Sequence, residues 1–255
     1  MSQTYNTKAI VLKRDSFREA DNFLTLYTQN LGKIRVRVKA AKKPYSKLSG
    51  HTEPFCQTNF MLAKSRTVDI VCNAQTLKSF SCLKKDLTKI SAAYYVCEIV
   101  DLLTKEALSN EKIYNLLEST LGLIESASSA LEVKLIIRYF EFRLLAVLGF
   151  KPAIDHCPTC QNEDRKEAFF SSQEGGLLCK NCLPRDPLAL KITENIVDIL
   201  RSFQNREVLG RKVSNKELHQ LEIILGSYIN HYAEKEVKSR GFLKQIEICE
   251  ATNSY

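Results

Sequence analysis

Two pairs of cysteines, Cys157-Pro158-Thr159-Cys160 and Cys179-Lys180-Asn181-Cys182, stand eighteen residues apart and constrain this chain more than any other feature. Zinc takes four soft ligands at the corners of a tetrahedron, about 2.3 Å away. Two intervening residues let one tight turn present two thiolates to the same ion, and the longer gap lets the chain return with the second pair. Gly175-Gly176, just before that second pair, suits a tight return. The spacing predicts a zinc ribbon in which Cys157, Cys160, Cys179 and Cys182 hold one structural Zn2+ per chain. The same thiolates could carry an iron–sulfur cluster. A thioredoxin-like redox pair is not expected, because no βαβ pattern surrounds either pair. Four cysteines close the coordination sphere, so the ion is expected to order a segment poor in apolar residues rather than to catalyse. His156, next to a ligand, is expected to be a surface histidine.

The other five cysteines (Cys56, Cys72, Cys82, Cys97 and Cys249) are scattered, which is not the layout of a secreted disulfide scaffold. They are expected to be buried or half-buried free thiols in a reducing compartment. Met1 to Lys8 has no apolar signal core, and no stretch approaches the ~18 apolar residues of a membrane span. A cytoplasmic protein with no membrane partner is expected.

Residues 7 to 74 read as strands. Lys8–Lys13, Asn22–Thr28, Phe55–Leu62 and Val68–Val71 are short and rich in β-branched or aromatic residues. Ile34 to Lys39 alternates strictly, placing Ile34, Val36 and Val38 on one face and Arg35, Arg37 and Lys39 on the other. Five short strands in under 80 residues suggest a small closed barrel. From about residue 84 the apolar period lengthens to three and four. Leu87 to Val100, Ile113 to Ile124, Ala130 to Leu148 and Val197 to Phe203 predict helices, with Gly149 as a C-terminal cap. Ser214-Asn215-Lys216-Glu217 is a capping box that opens a last helix. The expected architecture is multidomain α+β. An OB-fold barrel over 1–80 precedes a helical domain over 81–150 and 188–255, with a zinc-binding insertion at 151–187.

Charge is divided unevenly. Residues 1 to 80 hold fourteen Lys and Arg against five acids, while the other 175 residues hold 23 bases and 24 acids. Lys33, Arg35, Arg37, Lys39, Lys42, Lys43 and Lys47 fall within fifteen residues with no acid among them. Such a local field concentrates polyanions. Phe17, Tyr27 and Tyr45 offer aromatic faces nearby, Tyr27 with barrel core or rim as its other reading. OB-folds bind single strands by a cationic groove plus base stacking. The seven basic residues are the candidate nucleic-acid contacts, with salt-sensitive and weakly sequence-selective binding expected.

With these pieces in order, the chain resembles the RecO family. The resemblance runs through Ala9-Ile10-Val11-Leu12, Arg18-Glu19-Ala20-Asp21, Leu24-Thr25-Leu26-Tyr27-Thr28, Gly32-Lys33, Ser46-Lys47-Leu48 and Glu53-Pro54-Phe55. It continues in Arg138-Tyr139-Phe140-Glu141, Leu144-Leu145, Leu148-Gly149 and Lys238-Ser239-Arg240. It departs at Ala40, where the family often has glycine, and some members lack the zinc cysteines. The resemblance implies a non-enzymatic DNA repair and recombination mediator of the RecF pathway, acting at the nucleoid. Such a protein binds single- and double-stranded DNA, anneals complementary strands and, with RecR, helps load RecA onto DNA coated by single-strand-binding protein (SSB). It also implies contact with the acidic SSB C-terminal tail, for which Arg138 is the matching residue.

Three other readings stay open. A nucleic-acid enzyme, or its accessory, would be expected to carry a phosphate-binding Gly-rich loop, a Lys-x-Asp-Gly nucleophile or a metal-spaced Asp/Glu/His cluster; none is visible. An RNA-binding module fits the basic strand equally well. A scaffold could turn the same face to an acidic protein.

Overall fold

The computed structural model describes residues 3–43, 45–163, 167–207, 212–233, 236–241 and 243; Cys249 lies outside them. The chain divides into two compact units. One comprises the chain up to Ala127 together with the stretch from Val237 onward; the other is Ser128–Glu236.

The first unit opens with five strands: β1 (Thr4–Phe17), β2 (Asp21–Thr28), β3 (Gly32–Val38), β4 (Gln57–Ala63) and β5 (Asp69–Lys78). They close into a barrel in the order β1-β2-β3-β5-β4, with β3 and β5 parallel and the other pairings antiparallel. The closing contact of β3 with β5 is short, at Val36–Asp69 and Arg37–Ile70. The alternation read in β3 is present: Ile34, Val36 and Val38 join Ala9, Val11, Leu24, Leu26, Phe60 and Leu62 in the barrel core. β1 and β5 are longer than their apolar windows predict, because their ends carry polar, half-exposed residues. Three residues are extra to the ladders: Leu12 in β1, and Cys72 and Leu77 in β5. At such a bulge the spare residue leaves the ladder. Cys72 is exposed rather than buried, whereas Leu12 is only 3% exposed. Cys82 is exposed too, whereas Cys56 and Cys97 are buried as expected.

In this unit the barrel is followed by α1 (Leu87–Leu103) and α2 (Glu111–Ser126), capped by Asp86 and Asn110. α1 packs on β1 and on α2. The stretch from Val237 returns here. Glu98 of α1 accepts the backbone N–H groups of Lys238 (3.0 Å) and Ser239 (2.8 Å), and Arg240 donates to the Tyr95 hydroxyl at 3.3 Å. Val237 itself is buried.

The second unit contains α3 (Ala130–Val147), a three-stranded antiparallel sheet of β6 (Ala168–Ser171), β7 (Gly176–Cys179) and β8 (Leu190–Ile192), then α4 (Glu194–Gln204) and α5 (Asn215–Tyr232). Ser129 caps α3, and Gly149 follows it in the left-handed region at φ +91°. Both halves of the Ser214–Glu217 capping box are formed. α3 packs against α4 and α5. Phe203 of α4 meets Tyr139 and Phe142 of α3, and Tyr228 of α5 meets Phe170 of β6. No described helix is long and apolar enough to cross a membrane.

Candidate nucleic-acid interface and metal centre

The β2–β3 hairpin determines which basic side chains share a surface. Leu24 and Leu26 face the core, so Phe23 and Thr25 face outward, opposite Arg37 and Arg35 respectively. A period of two puts all four on one outer face. Phe23 meets Phe17 at a centroid distance of 4.4 Å, the rings tilted by 49°. The Arg35 guanidinium lies 4.3 Å from the Phe23 ring centre, and those of Arg18 and Arg37 lie 5.2 and 5.4 Å from that of Phe17. Each distance is within cation–π range. Sequence reasoning singled out Phe17 but missed Phe23 and Arg18. The parity of β2 was the signal that would have found Phe23.

Asp21 fixes one end of this face. Its carboxylate accepts from Arg37 Nε (2.8 Å) and Nη2 (2.5 Å) and from the Ala40 amide (2.8 Å). The Ala40 amide first, and the Arg37 guanidinium next, hold the Asp21 carboxyl below the usual carboxylate range, against its partial burial. Ala40 sits at φ +54°. That is left-handed backbone, which glycine adopts without strain and alanine does not. Lys39 before Ala40 and Lys42, Lys43 and Lys47 after it are exposed, as is Tyr45.

Not every basic residue belongs to this surface. Lys33 is only 9% exposed. Its ammonium meets the Asp101 carboxylate at 3.0 Å and the Asp101 carbonyl at 2.5 Å, in the last turn of α1. There a cation is favoured by the carbonyls that the helix leaves unpaired. The segment after α1 covers this end of the hairpin. Ala107 donates to the Lys33 carbonyl at 2.9 Å. A Cβ on Gly32 would lie 2.1 Å from the Leu108 carbonyl oxygen, so that position must be glycine on space as well as on its φ of +70°. The expectation that Lys33 shares the exposed basic face is therefore corrected: the 104–110 segment buries it. Tyr27, opposite Lys33, is 0% exposed. It shares the outward parity of Phe23 and Thr25 and is buried outside the barrel core, where its hydroxyl donates to the Asn110 carbonyl at 3.4 Å and burial pushes that hydroxyl up to about 12.

Arg138 is placed otherwise than a surface receptor requires. It is 7% exposed within α3, and its Nη2 lies 3.2 Å from the fully buried carboxylate of Glu141 one turn on. In this conformation Glu141, not an incoming tail, holds the guanidinium.

In the second unit, the sequence brings the four paired cysteines together. Cys157 is buried at the start of one knuckle, where its amide donates to the Asn162 carbonyl and its carbonyl accepts from Gln161, both at 2.9 Å. β7 delivers Cys179, and the 3-10 turn that follows carries Cys182. The glycine pair acts as read. Gly175 sits at φ +79°, and a Cβ on Gly176 would meet the Ala153 carbonyl oxygen at 2.3 Å. All four sulfurs lie within 4.8 Å of one another, and Cys160 and Cys179 are 3.6 Å apart. Sulfurs about 2.3 Å from one tetrahedral ion are roughly 3.8 Å from each other. A disulfide needs about 2.05 Å, and all four thiols are free. The donor set could hold a metal ion.

Burial pushes the Cys157 thiol up, but the amides of Cys179, Cys160 and Thr159 outweigh it and bring it down to about 6. Hydrogen bonds with Cys160, added to burial, push Cys182 up to about 12. Four thiols at this distance cannot all ionise without a cation among them. Leu178, Phe169 and Ala189 pack beneath the knuckles. His156 is exposed, as expected.

Comparison with known proteins places the chain in a family. Residues 1–80 match the family described as Recombination protein O N terminal, and residues 84–241 match Recombination protein O C terminal. The chain is 35% identical over 246 residues to a protein named DNA repair protein RecO from Desulforamulus reducens, covering 95% of this chain and 94% of that one. It is 34% identical to the protein of that name from Desulforudis audaxviator, covering 96% and 98%, and 29% identical to that of Halalkalibacterium halodurans, covering 95% of each. A barrel with a cation–aromatic face, followed by a helical region carrying a four-cysteine centre, thus spans both matched segments, and the chain belongs to the RecO family of DNA repair proteins.

Proposed function

We propose that this protein is a non-enzymatic recombination mediator that binds single- and double-stranded DNA on the β2–β3 face of its barrel. Arg35, Arg37, Lys39, Lys42, Lys43 and Lys47 would contact phosphates, with Phe17 and Phe23 behind them. The observation that carries the reading is the run of exposed cations beside an aromatic pair, with no acid between Asp21 and Glu53. OB-folds bind oligonucleotides on this strand 2–3 face. Lys33 belongs to the folding of the barrel unit rather than to the DNA contact.

By the family's role, the protein anneals complementary strands and, with RecR, helps load RecA onto SSB-coated DNA at the nucleoid. The SSB tail is the partner to which Arg138 answers; reaching it requires the tail carboxylate to replace Glu141. The four cysteines hold one Zn2+, whose closed sphere serves structure and leaves the chemistry of DNA to the barrel.

The test pairs two measurements. Annealing of complementary oligonucleotides, with and without SSB, should be accelerated by the protein. The combined variant Arg35→Ala, Lys39→Ala, Lys42→Ala and Lys43→Ala should weaken DNA binding and flatten its dependence on salt, by up to about 0.7 in log–log slope per single-strand phosphate contact removed. Equal salt slopes in variant and parent would refute the assignment of the face, and tighter binding to a matched RNA oligonucleotide would favour an RNA module instead.

A further inference from the structure

Tyr45 is 96% exposed, more than any other large apolar or aromatic side chain among the described residues. It stands in the loop between β3 and β4, and its neighbours Lys42, Lys43 and Lys47 are exposed as well. The loop is held in place. Its root hangs on Asp21 through the Ala40 amide, and Lys42 donates its amide to the Ala20 carbonyl at 3.0 Å. A turn spans the tyrosine, with the Ser46 amide donating to the Lys43 carbonyl at 3.0 Å. On the far side Leu48 packs against the barrel core. The ring is therefore presented on an anchored loop and contributes no buried area to the fold.

An isolated exposed aromatic ring needs no explanation. One on an anchored loop, within a cluster of cations and continuous through Asp21 with the Arg37–Phe17 contact, has the two components of a single-strand site: charge for the phosphates and a π-face for a base. Paired bases are already stacked and offer a protein only their groove edges. We propose that Tyr45 stacks on an unpaired base of a bound strand and so gives the basic loop a preference for single strands over duplex. The proposal rests on the DNA-binding reading above and assigns to one residue a selectivity that cations cannot supply.

The chain has no tryptophan, so the Y45W variant carries a single indole at the loop. Its emission should be quenched on titration with an oligothymidylate and unaffected by a fully paired duplex of the same length. Y45A should lose about tenfold in affinity for the oligothymidylate, the scale of one stacked base, while its duplex affinity stays within about twofold of the parent and Y45F binds like the parent. If Y45A binds single strands as tightly as the parent, or loses single strand and duplex equally, stacking is overturned while the parent's salt-sensitive binding leaves the DNA face standing. If the parent binds neither nucleic acid, the DNA reading itself falls and stacking with it.

Discussion

Lys33 and Arg35 stand two residues apart on one strand, yet their surroundings give them opposite tasks. Lys33 spends its charge on Asp101 at the end of α1, whereas Arg35 lies over Phe23 with its charge exposed. Lys33→Ala should lower stability by about 1–3 kcal/mol, the scale of a hydrogen bond to a charged group, and leave the salt slope of DNA binding unchanged. Denaturant unfolding alongside a salt titration would check both halves. Asp21 makes a second residue-level prediction. Its folded carboxyl is held below the unfolded value of about 3.9, so the stabilisation it contributes is complete above that value and is lost as pH falls through the folded one. Asp21→Asn should therefore flatten the acid limb of Tm below about pH 4, measured in a pH series against the parent. The sequence made the alternation of Arg35, Arg37 and Lys39 legible. It could not reveal that Lys33 would be covered, because the covering segment begins some seventy residues later and only the fold brings them together.

Among the elements, those with a local physical signature were the ones the sequence disclosed. α5 was visible from its capping box, and the end of α3 from Gly149, because capping chemistry operates within a few residues. The ends of β1 and β5 were not, since those strands continue through polar residues whose pairing is set by distant neighbours. The four cysteines were legible from spacing alone, while the three strands beside them, of three or four residues, are too short for a period to be read. Strands of three or four residues hold few ladder bonds of their own, which predicts dependence on the metal. Removing it with a chelator, or changing Cys160 and Cys179 to Ser, should release about one zinc per chain and unfold the 151–187 segment, seen as new amide exchange there. Freshly prepared protein without zinc would contradict this, and retained protection after release would show that the knuckles stand unaided.

At the scale of the whole molecule, the excess positive charge and the cation–aromatic face coincide in the first 80 residues, and the rest of the chain is nearly neutral. Attraction to polyanions is thus localised to the barrel, and raising salt should weaken DNA binding without disturbing the cysteine centre. The sequence showed this division of charge directly, as composition needs no fold to be read. It did not show that Glu98 awaits Lys238 and Ser239, a pairing across 140 residues that no local pattern encodes. That clasp has a consequence for biosynthesis. A ribosome making this chain releases the barrel first, then the whole of the cysteine-bearing unit, and only afterwards the stretch that docks on α1. The earliest part to emerge is the last to be finished, and it must wait, incomplete, while its neighbour folds.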